Sequence, residues 1–217
     1  DYELILIDDN STDASLRLIQ KYQEENPEHI RIIIQPDQGV SAANNLGIKE
    51  SKGSYILFVD SDDYLQEDMV KLMMDEAEET DADLVLCNIK AIKKESDEFV
   101  AIWFSGEMKN TVESIFDNKD LLNTILPASW GKVYKKTLFT KNKITYPIGL
   151  RNQGLGTTPR IISHCEKIAK VNHVLYNHRH SEKVSLGIDD YKILDVVKNL
   201  KIVKDDYEEQ KLDTVFH

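Results

Sequence analysis

Short, almost purely apolar runs alternate with amphipathic stretches along the first half of the chain. "ELILID" (Glu3 to Asp8), "IRIII" (Ile30 to Ile34), "YILFV" (Tyr55 to Val59) and "DLVLCN" (Asp83 to Asn88) have the pattern of strands covered on both faces. Between them, Leu16, Ile19 and Tyr22 recur at helical spacing after a candidate N-cap at Asp13. Met69, Val70, Leu72, Met73 and Ala77 do the same after Asp68. Strand, helix, strand, helix predicts an α/β domain, a Rossmann-like and mostly parallel sheet flanked by helices. Near the end, "DYKILDVVKNLKIVKDDYEEQKL" sets Ile193, Val196, Val197, Leu200, Val203 and Tyr207 on one helical stripe. A C-terminal helix packed on the domain follows; acids between its lysines disfavour a membrane-surface role.

Composition narrows the classes. With 217 residues and 41% hydrophobic content the chain can bury a real core, so disorder is excluded. A net charge of −11 and a pI near 5.0 argue against a nucleic-acid partner, which needs surplus lysine and arginine. Two distant cysteines, Cys87 and Cys165, make no disulfide framework, so a reducing, cytoplasmic compartment is expected. No apolar run approaches the ~20 residues that cross a bilayer. Membrane contact, at the inner face, is therefore expected to be peripheral. There is no internal repeat or low-complexity tract. The chain opens at Asp1, without an initiator methionine, and runs straight into a strand. A segment upstream is expected to be missing.

Two of the apolar runs end in acidic clusters. Asp8 and Asp9 follow the first, and Asp60, Asp62 and Asp63 follow the third. In sheets of this kind ligands bind beyond the carboxyl ends of strands, so both clusters are expected to meet at one sheet edge. Like charges brought together repel unless protons, cations or hydrogen-bond donors compensate. A divalent metal such as magnesium or manganese, shared with substrate phosphates, is the simplest compensation. Any one aspartate at a strand end also serves as a turn former or helix N-cap. A calcium-binding EF-hand loop is excluded, because Tyr64 and Leu65 stand where it needs an oxygen ligand and a glycine.

Four blocks in order, "ELILIDDNSTDAS", "QPDQGVSAANNLGIKESKGSYILFVDSDDYL", "ASWGKVYKKTLF" and "GLGTTPRIISHCEKIAKVNHVLYNHRHSEKVS", resemble the family 2 glycosyltransferases of the GT-A fold. The bacterial enzymes that build surface polysaccharides and teichoic-acid-like polymers are the nearest in kind. The resemblance spans about residues 1–187. It implies a nucleotide-sugar-binding half over 1–100, an acceptor-side half over 101–187 and the helix over 188–217. By resemblance, Asp8, Asp9 and Ser11 fall in the donor site, the carboxylates accepting base or ribose hydrogens. Asp60 and Asp62 fall on the Asp-any-Asp (DXD) motif. Asp62 is then the metal ligand, Asp60 holds ribose or a metal-bound water, and Asp63 supports them.

Gly39, Ser41 and Asn45 match the family's positions in "GVSAANNLGI", where a helix N-terminus would face negative charge. Ala42, Ala43 and Leu46 read equally as a packed helix face. Asn44 stands where relatives often carry arginine. Trp130 and Lys132 of "SWGKVYKK" fall on the acceptor side, Trp130 as a sugar-stacking platform or an ordinary core residue. His178 and Arg179, with His180, would meet diphosphate or a phosphorylated acceptor, or stand as solvated loop residues.

The chain departs from the resemblance at "GLRNQGLGTTP". Relatives usually carry glutamate and aspartate where this sequence has Gln153 and Gly154, so the catalytic base that deprotonates the acceptor hydroxyl is unassigned. Glu166 is the nearest downstream carboxylate and reads as part of the following helix. The family's opening strand is expected to lie upstream of residue 1, leaving flanking strand edges exposed. The implied function is metal-dependent inverting transfer of a sugar from a nucleotide-diphosphate donor, a UDP-sugar foremost. The acceptor is a saccharide or lipid-linked hydroxyl of a cell-surface polymer. Gln153 and Gly154 favour the alternative, a non-catalytic sugar-nucleotide-binding or assembly module of a larger synthase. Restoring both carboxylates is the substitution that would separate the two.

Overall fold

The computed structural model describes residues 1–108, 111–180 and 190–212. The end of the "LYNHRHSEKVS" block and the domain boundary near residue 187 lie outside them. Strand β1 (Leu4–Asp8), helix α1 (Ser15–Glu25) and strand β2 (Ile30–Ile34) form a right-sized crossover, with β1 and β2 parallel from Leu4 opposite Ile30 to Asp8 opposite Ile34. The N-cap of α1 is Ala14, without a side-chain cap, rather than Asp13; the Asp13 carboxylate accepts the Ser15 amide at 2.9 Å from one residue before it. Helix α2 (Val40–Glu50), strands β3 (Tyr55–Leu57) and β4 (Tyr64–Leu65), helix α3 (Met69–Thr80) and the long strand β5 (Leu84–Lys93) complete the first half. Then come β6 (Phe99–Trp103), β7 (Val112–Glu113), α4 (Leu121–Thr124), β8 (Lys132–Lys135), α5 (Thr137–Asn142), α6 (Gly154–Ser163), β9 (Ile168–His180) and α7 (Asp190–Glu209).

The α/β class holds, but the sheet is mixed rather than mostly parallel. Strands β1 and β2 pair by themselves, while the other seven form a second sheet in the order β3-β8-β5-β9-β4, with β6 on β5 and β7 on β9. In that sheet only β5 and β9 run parallel; β3–β8, β5–β8, β4–β9, β5–β6 and β7–β9 are antiparallel. Strand–helix alternation, which forces parallel pairing, ends at β5. Beyond it, short strands return by turns and loops and insert beside β5. For the same reason the two acidic clusters end strands of different sheets, not one edge of one sheet.

Strand β5 forms the centre. Leu84 and Leu86 enter one apolar layer with Phe139, Ile161 and Ile162, whereas Val85, Cys87 and Ile89 enter the other with Met69, Met73 and Tyr176. That alternation places α3 on one face and α5 and α6 on the other, as a continuous apolar run requires. Cys87 and Cys165 sit in different layers, free and buried. The two sheets are held together by α2. The Arg31 guanidinium reaches Glu3 at 3.1 Å and Glu50 at 3.4 Å, and Gly47 lets the helix lie against Ile7, since a Cβ there would come within 3.3 Å of its Cδ1.

Helix α7 packs on α6, but through a more polar face than the stripe predicts. Ile193, Val197 and Leu200 are exposed, while Val196, Asn199, Val203, Asp206 and Tyr207 face inward. The reason is what α6 offers them. Arg160 pairs with Asp206 at 3.1 Å, and the Asn199 amide donates to the Arg151 and Asn152 carbonyls at 2.8 and 3.3 Å. A Cβ on Gly156 would come within 2.5 Å of Asn199 Oδ1, so the glycine makes the notch that admits this side chain. No helix among the described residues is long and apolar enough to cross a membrane.

Candidate active site

Asp8 and Asp9 close the first strand by organising the loops beyond it. The Asp8 side chain is buried and accepts the Ser11 amide at 3.2 Å; Asn10 between them adopts positive φ, which asparagine tolerates. Asp9 accepts the Gln38 amide at 3.0 Å, the Gln35 carboxamide at 2.7 Å and the Gly39 amide at 2.7 Å. The bond from the Gln38 amide, aided by those from Gln35 and Gly39, holds its carboxyl below the usual range against the effect of burial. Gly39 has φ +81° at the N-cap of α2, a conformation L side chains rarely adopt. Asp9 thus fixes the turn that presents the α2 N-terminus. Asn45, one turn further along, is committed elsewhere: its carboxamide donates to the Tyr146 carbonyl and accepts the Tyr146 amide, both at 2.8 Å. It works as a strut across 101 residues of chain.

The three aspartates after β3 divide into distinct roles. Asp63 has a fully buried side chain that accepts the Tyr176 hydroxyl at 2.7 Å, His178 Nδ1 at 3.1 Å and the Arg179 amide at 2.8 Å. Burial opposes its ionisation, but these three donors outweigh it and hold the carboxyl below its ordinary value. Asp63 is therefore a structural joint between the β3 loop and β9, in keeping with a supporting place beside Asp60 and Asp62. Asp62 is exposed, and its carboxylate is paired with Lys94 at 2.6 Å. Asp60 lies between these extremes. Burial first, then the charges of Asp63 and Asp62, push its carboxyl up to about 6. Arg179 sits on the same side, its guanidinium 3.2 Å from Asp97 and 5.3 Å above the Tyr64 ring.

A cavity of about 290 Å³ opens beside Asp60, lined by Val40, Ser129, Trp130, Tyr146, Gln153 and Gly154 among others. It is at the small end of ligand pockets. Trp130 is half-buried and lines the cavity while stacking on Tyr176 (5.2 Å, 12°) and His178 (4.8 Å, 19°). It is thus anchored like a core residue and placed like a platform. His178 is fixed twice, by this stack and by Asp63. Lys132 is wholly buried, its ammonium on the Ala128 and Trp130 carbonyls at 2.9 and 3.3 Å. It holds from beneath the loop whose residues Ala128 and Trp130 line the cavity. The expectation for Glu166 is corrected: it lies after α6, exposed, at the start of β9 and hence at the opposite end of that strand from His178.

The donor set fits a hard cation that brings its own ligands. Among the described residues no three His, Cys, Asp or Glu side chains are gathered around one point. Asp60 and Asp62 would offer a magnesium or manganese ion carboxylate oxygens only, leaving phosphate oxygens and water to complete its shell. Lys94 pairs with Asp62 at 2.6 Å.

Several residues of the site carried no sequence signal. Lys94, Tyr146 and Asn199 belong to no motif and are brought in by tertiary pairing alone. Asn199 holds the carbonyls of residues just before α6, where Gln153 and Gly154 meet the cavity. Asn199→Ala is expected to lower stability by about 0.5–1.5 kcal/mol, the net worth of the part-buried hydrogen bond to the Arg151 carbonyl, since the Asn152 carbonyl also accepts the Leu155 amide. Amide exchange over residues 151–156 should quicken with it, and unchanged exchange there would mean α7 does not brace this wall.

Comparison with known proteins places these features. The family model described as "Glycosyl transferase family 2" matches residues 1–143, more than half of the chain. An uncharacterized glycosyltransferase, YibD of Escherichia coli, is 30% identical over 84% of this chain and 54% of its own length. The poly(ribitol-phosphate) beta-glucosyltransferase of Bacillus spizizenii is 32% identical over 70% of this chain and 23% of its own. The chain thus spans about half, or less, of these relatives. Among solved structures, Staphylococcus aureus TarS (residues 1–349) in complex with UDP-GlcNAc superposes with a TM-score of 0.75 at 20% identity, covering 97% of this chain and 58% of that one. The fold is therefore GT-A.

Proposed function

The chain belongs to glycosyl transferase family 2, and from that membership we propose that it binds a nucleotide-diphosphate sugar, a UDP-sugar foremost, and passes the sugar with inversion to a hydroxyl of a surface polymer. One observation supports the reading: Asp60, of the Asp-any-Asp pattern, lines one cavity together with Trp130, Gln153 and Val40, the first residue of α2. Asp62, with Asp60, would hold a magnesium or manganese ion, which when bound offsets charge on the departing diphosphate. Binding it means releasing Lys94, whose ammonium would then be free to meet phosphate. Trp130 offers an aromatic face to the apolar face of a sugar. Arg179, paired with Asp97 beside Asp62, would meet the outer phosphate.

Calorimetric titration of UDP, with and without manganese, tests this reading. Binding should require the metal, manganese alone should bind weakly because only two carboxylates await it, and Asp62→Asn should weaken metal-dependent binding at least tenfold, about 1.4 kcal/mol. Binding indifferent to both metal and substitution would sink the proposal.

A specific observation favours the second reading, a binding or assembly module without transfer of its own. Gly154 has no room for a carboxylate, since a Cβ there would lie 1.9 Å from the Pro127 carbonyl oxygen. Asp60 is the one carboxylate among the cavity's lining residues. Release of UDP from donor in the presence of acceptors separates the readings, and its persistent absence despite tight donor binding supports the module.

A further inference from the structure

The turn that joins β5 to β6 is fastened beside the Asp-any-Asp pattern by its backbone. The Lys94 amide donates to the His180 carbonyl at 3.0 Å, and the Asp97 amide, from a residue at φ +55°, donates to the Lys93 carbonyl at 2.9 Å. Arg179 ties the far end of the turn, its guanidinium 3.2 Å from the Asp97 carboxylate and 3.5 Å from the Asp62 carbonyl. From this anchored stem the Lys94 ammonium reaches the Asp62 carboxylate at 2.6 Å. Both side chains are about half exposed, so the ammonium can swing away without uncovering the core. Like charges at Asp60, Asp62 and Asp63 repel unless something answers them. Asp63 is satisfied by Tyr176, His178 and the Arg179 amide. Lys94 is the charge that answers Asp62.

We propose that Lys94 couples metal to donor: its ammonium and a divalent cation are alternative partners of the Asp62 carboxylate, and the ammonium that the cation displaces is taken up by the diphosphate of the nucleotide sugar. The inference rests on the donor-binding function proposed above and adds a coupling between its two ligands. An ammonium and a divalent cation on one carboxylate repel each other at contact distance, so Asp62 holds one or the other. Metal by itself therefore breaks an ion pair in making its own bond to Asp62. With diphosphate present, the released ammonium finds phosphate oxygens, which a lysine meets as a point charge needing no fixed fork geometry. Metal and donor then bind more tightly together than apart, and each raises the affinity for the other by the same factor. Arg179 differs in that its guanidinium touches the Asp62 carbonyl and not the carboxylate, so a cation on Asp62 does not compete with it.

Lys94→Met tests the coupling by calorimetry, the whole chain being titrated with manganese alone and then with UDP at saturating manganese. Affinity for manganese alone should rise about two- to fivefold, the weight of an exposed ion pair. Affinity for UDP should fall about tenfold or more, the weight of a hydrogen bond to a charged group. Lys93→Met is the control: it removes the same charge one residue away, from a lysine paired with Glu98 at 3.3 Å, and should move each affinity by less than about twofold. The melting temperature of Lys94→Met should match the parent's, because no core contact is lost. Shifts of the same sign, shifts that Lys93→Met reproduces, or no shift in either titration would each overturn the inference. So would a marked fall in melting temperature, which would make Lys94 a structural tie. A parent that binds no UDP, with or without manganese, would bring down the proposed function itself and the coupling with it.

Discussion

Replacing Gly154 with aspartate, the change that restores the family's carboxylate, is expected to disrupt the fold rather than rescue a base. A Cβ at this position would sit 1.9 Å from the Pro127 carbonyl oxygen and 2.7 Å from its carbon, far inside the ~3.5–4.0 Å at which carbon atoms pack. Both are backbone atoms, so no side chain can swing aside. The loop they belong to is pinned from below, at Ala128 by Lys132 and by Tyr134, and at Ser129 by Tyr134. Retreat of the loop would break those bonds. The expected loss is about 3 kcal/mol or more, the scale of overpacking against an unyielding wall. Gly154→Ala should lose nearly as much, because the first carbon is the one that collides. Gln153→Glu, at a half-buried cavity position, should stay within about 1 kcal/mol of the parent. Denaturant melts of the three variants decide the matter. Should alanine cost under 1 kcal/mol, the loop gives way and a carboxylate at 154 becomes a fair repair. Otherwise Gln153→Glu alone is the variant in which to seek a gain of transfer.

How much of this was legible in the sequence depends on how local the cause is. The strand–helix alternation up to β5 could be read because continuous apolar runs and N-caps act over a few residues. β8 and β9 could not, for "KVYK" and "IAKVNHVLYNHRH" are strands only because β5 lies between them. The acidic motifs were visible as residues but not as roles. Proximity in sequence made Asp60, Asp62 and Asp63 look alike, yet pairing with Lys94 or with Tyr176, His178 and the Arg179 amide separates them. Those partners lie 32 to 116 residues away. Gln153 and Gly154 were conspicuous as departures from a pattern, while the reason Gly154 must remain glycine is a carbonyl 27 positions earlier in the chain. The stripe on α7 misled for the same reason: Asn199 is buried and Asp206 half-buried because the turn before α6 offers carbonyls and α6 offers Arg160, not because they are apolar.

Lys132→Met is expected to change how stability depends on pH more than any other single substitution. The amine is wholly buried, no carboxylate pairs with it among the described residues, and burial pushes it down to about 7. Cys87, the neighbouring group that would favour the charge, is itself pushed up to about 11 by burial and stays neutral near pH 7. Between pH ~7 and ~10.5 the unfolded chain therefore holds a proton that the folded chain has released. More protons on the unfolded state means stability rising with pH across that window, with the full penalty present below pH 7. A shift of this size corresponds to on the order of 4 kcal/mol. Methionine fills similar space and cannot titrate, but it leaves the Trp130 carbonyl unpaired and weakens the hold on Ala128, at about 1–3 kcal/mol. The variant should then be the more stable protein at pH 6 and the less stable at pH 10, the difference crossing zero in between. Urea denaturation of both proteins at a series of pH values measures it, and subtracting the curves cancels every other titrating group. A difference that stays flat with pH would mean the two carbonyls solvate the ammonium well enough to keep it charged throughout. A crossing would mean that the chain tolerates a costly buried amine, and the position of Lys132 gives the reason: it is the group that holds the Ala128–Trp130 wall of the cavity in place.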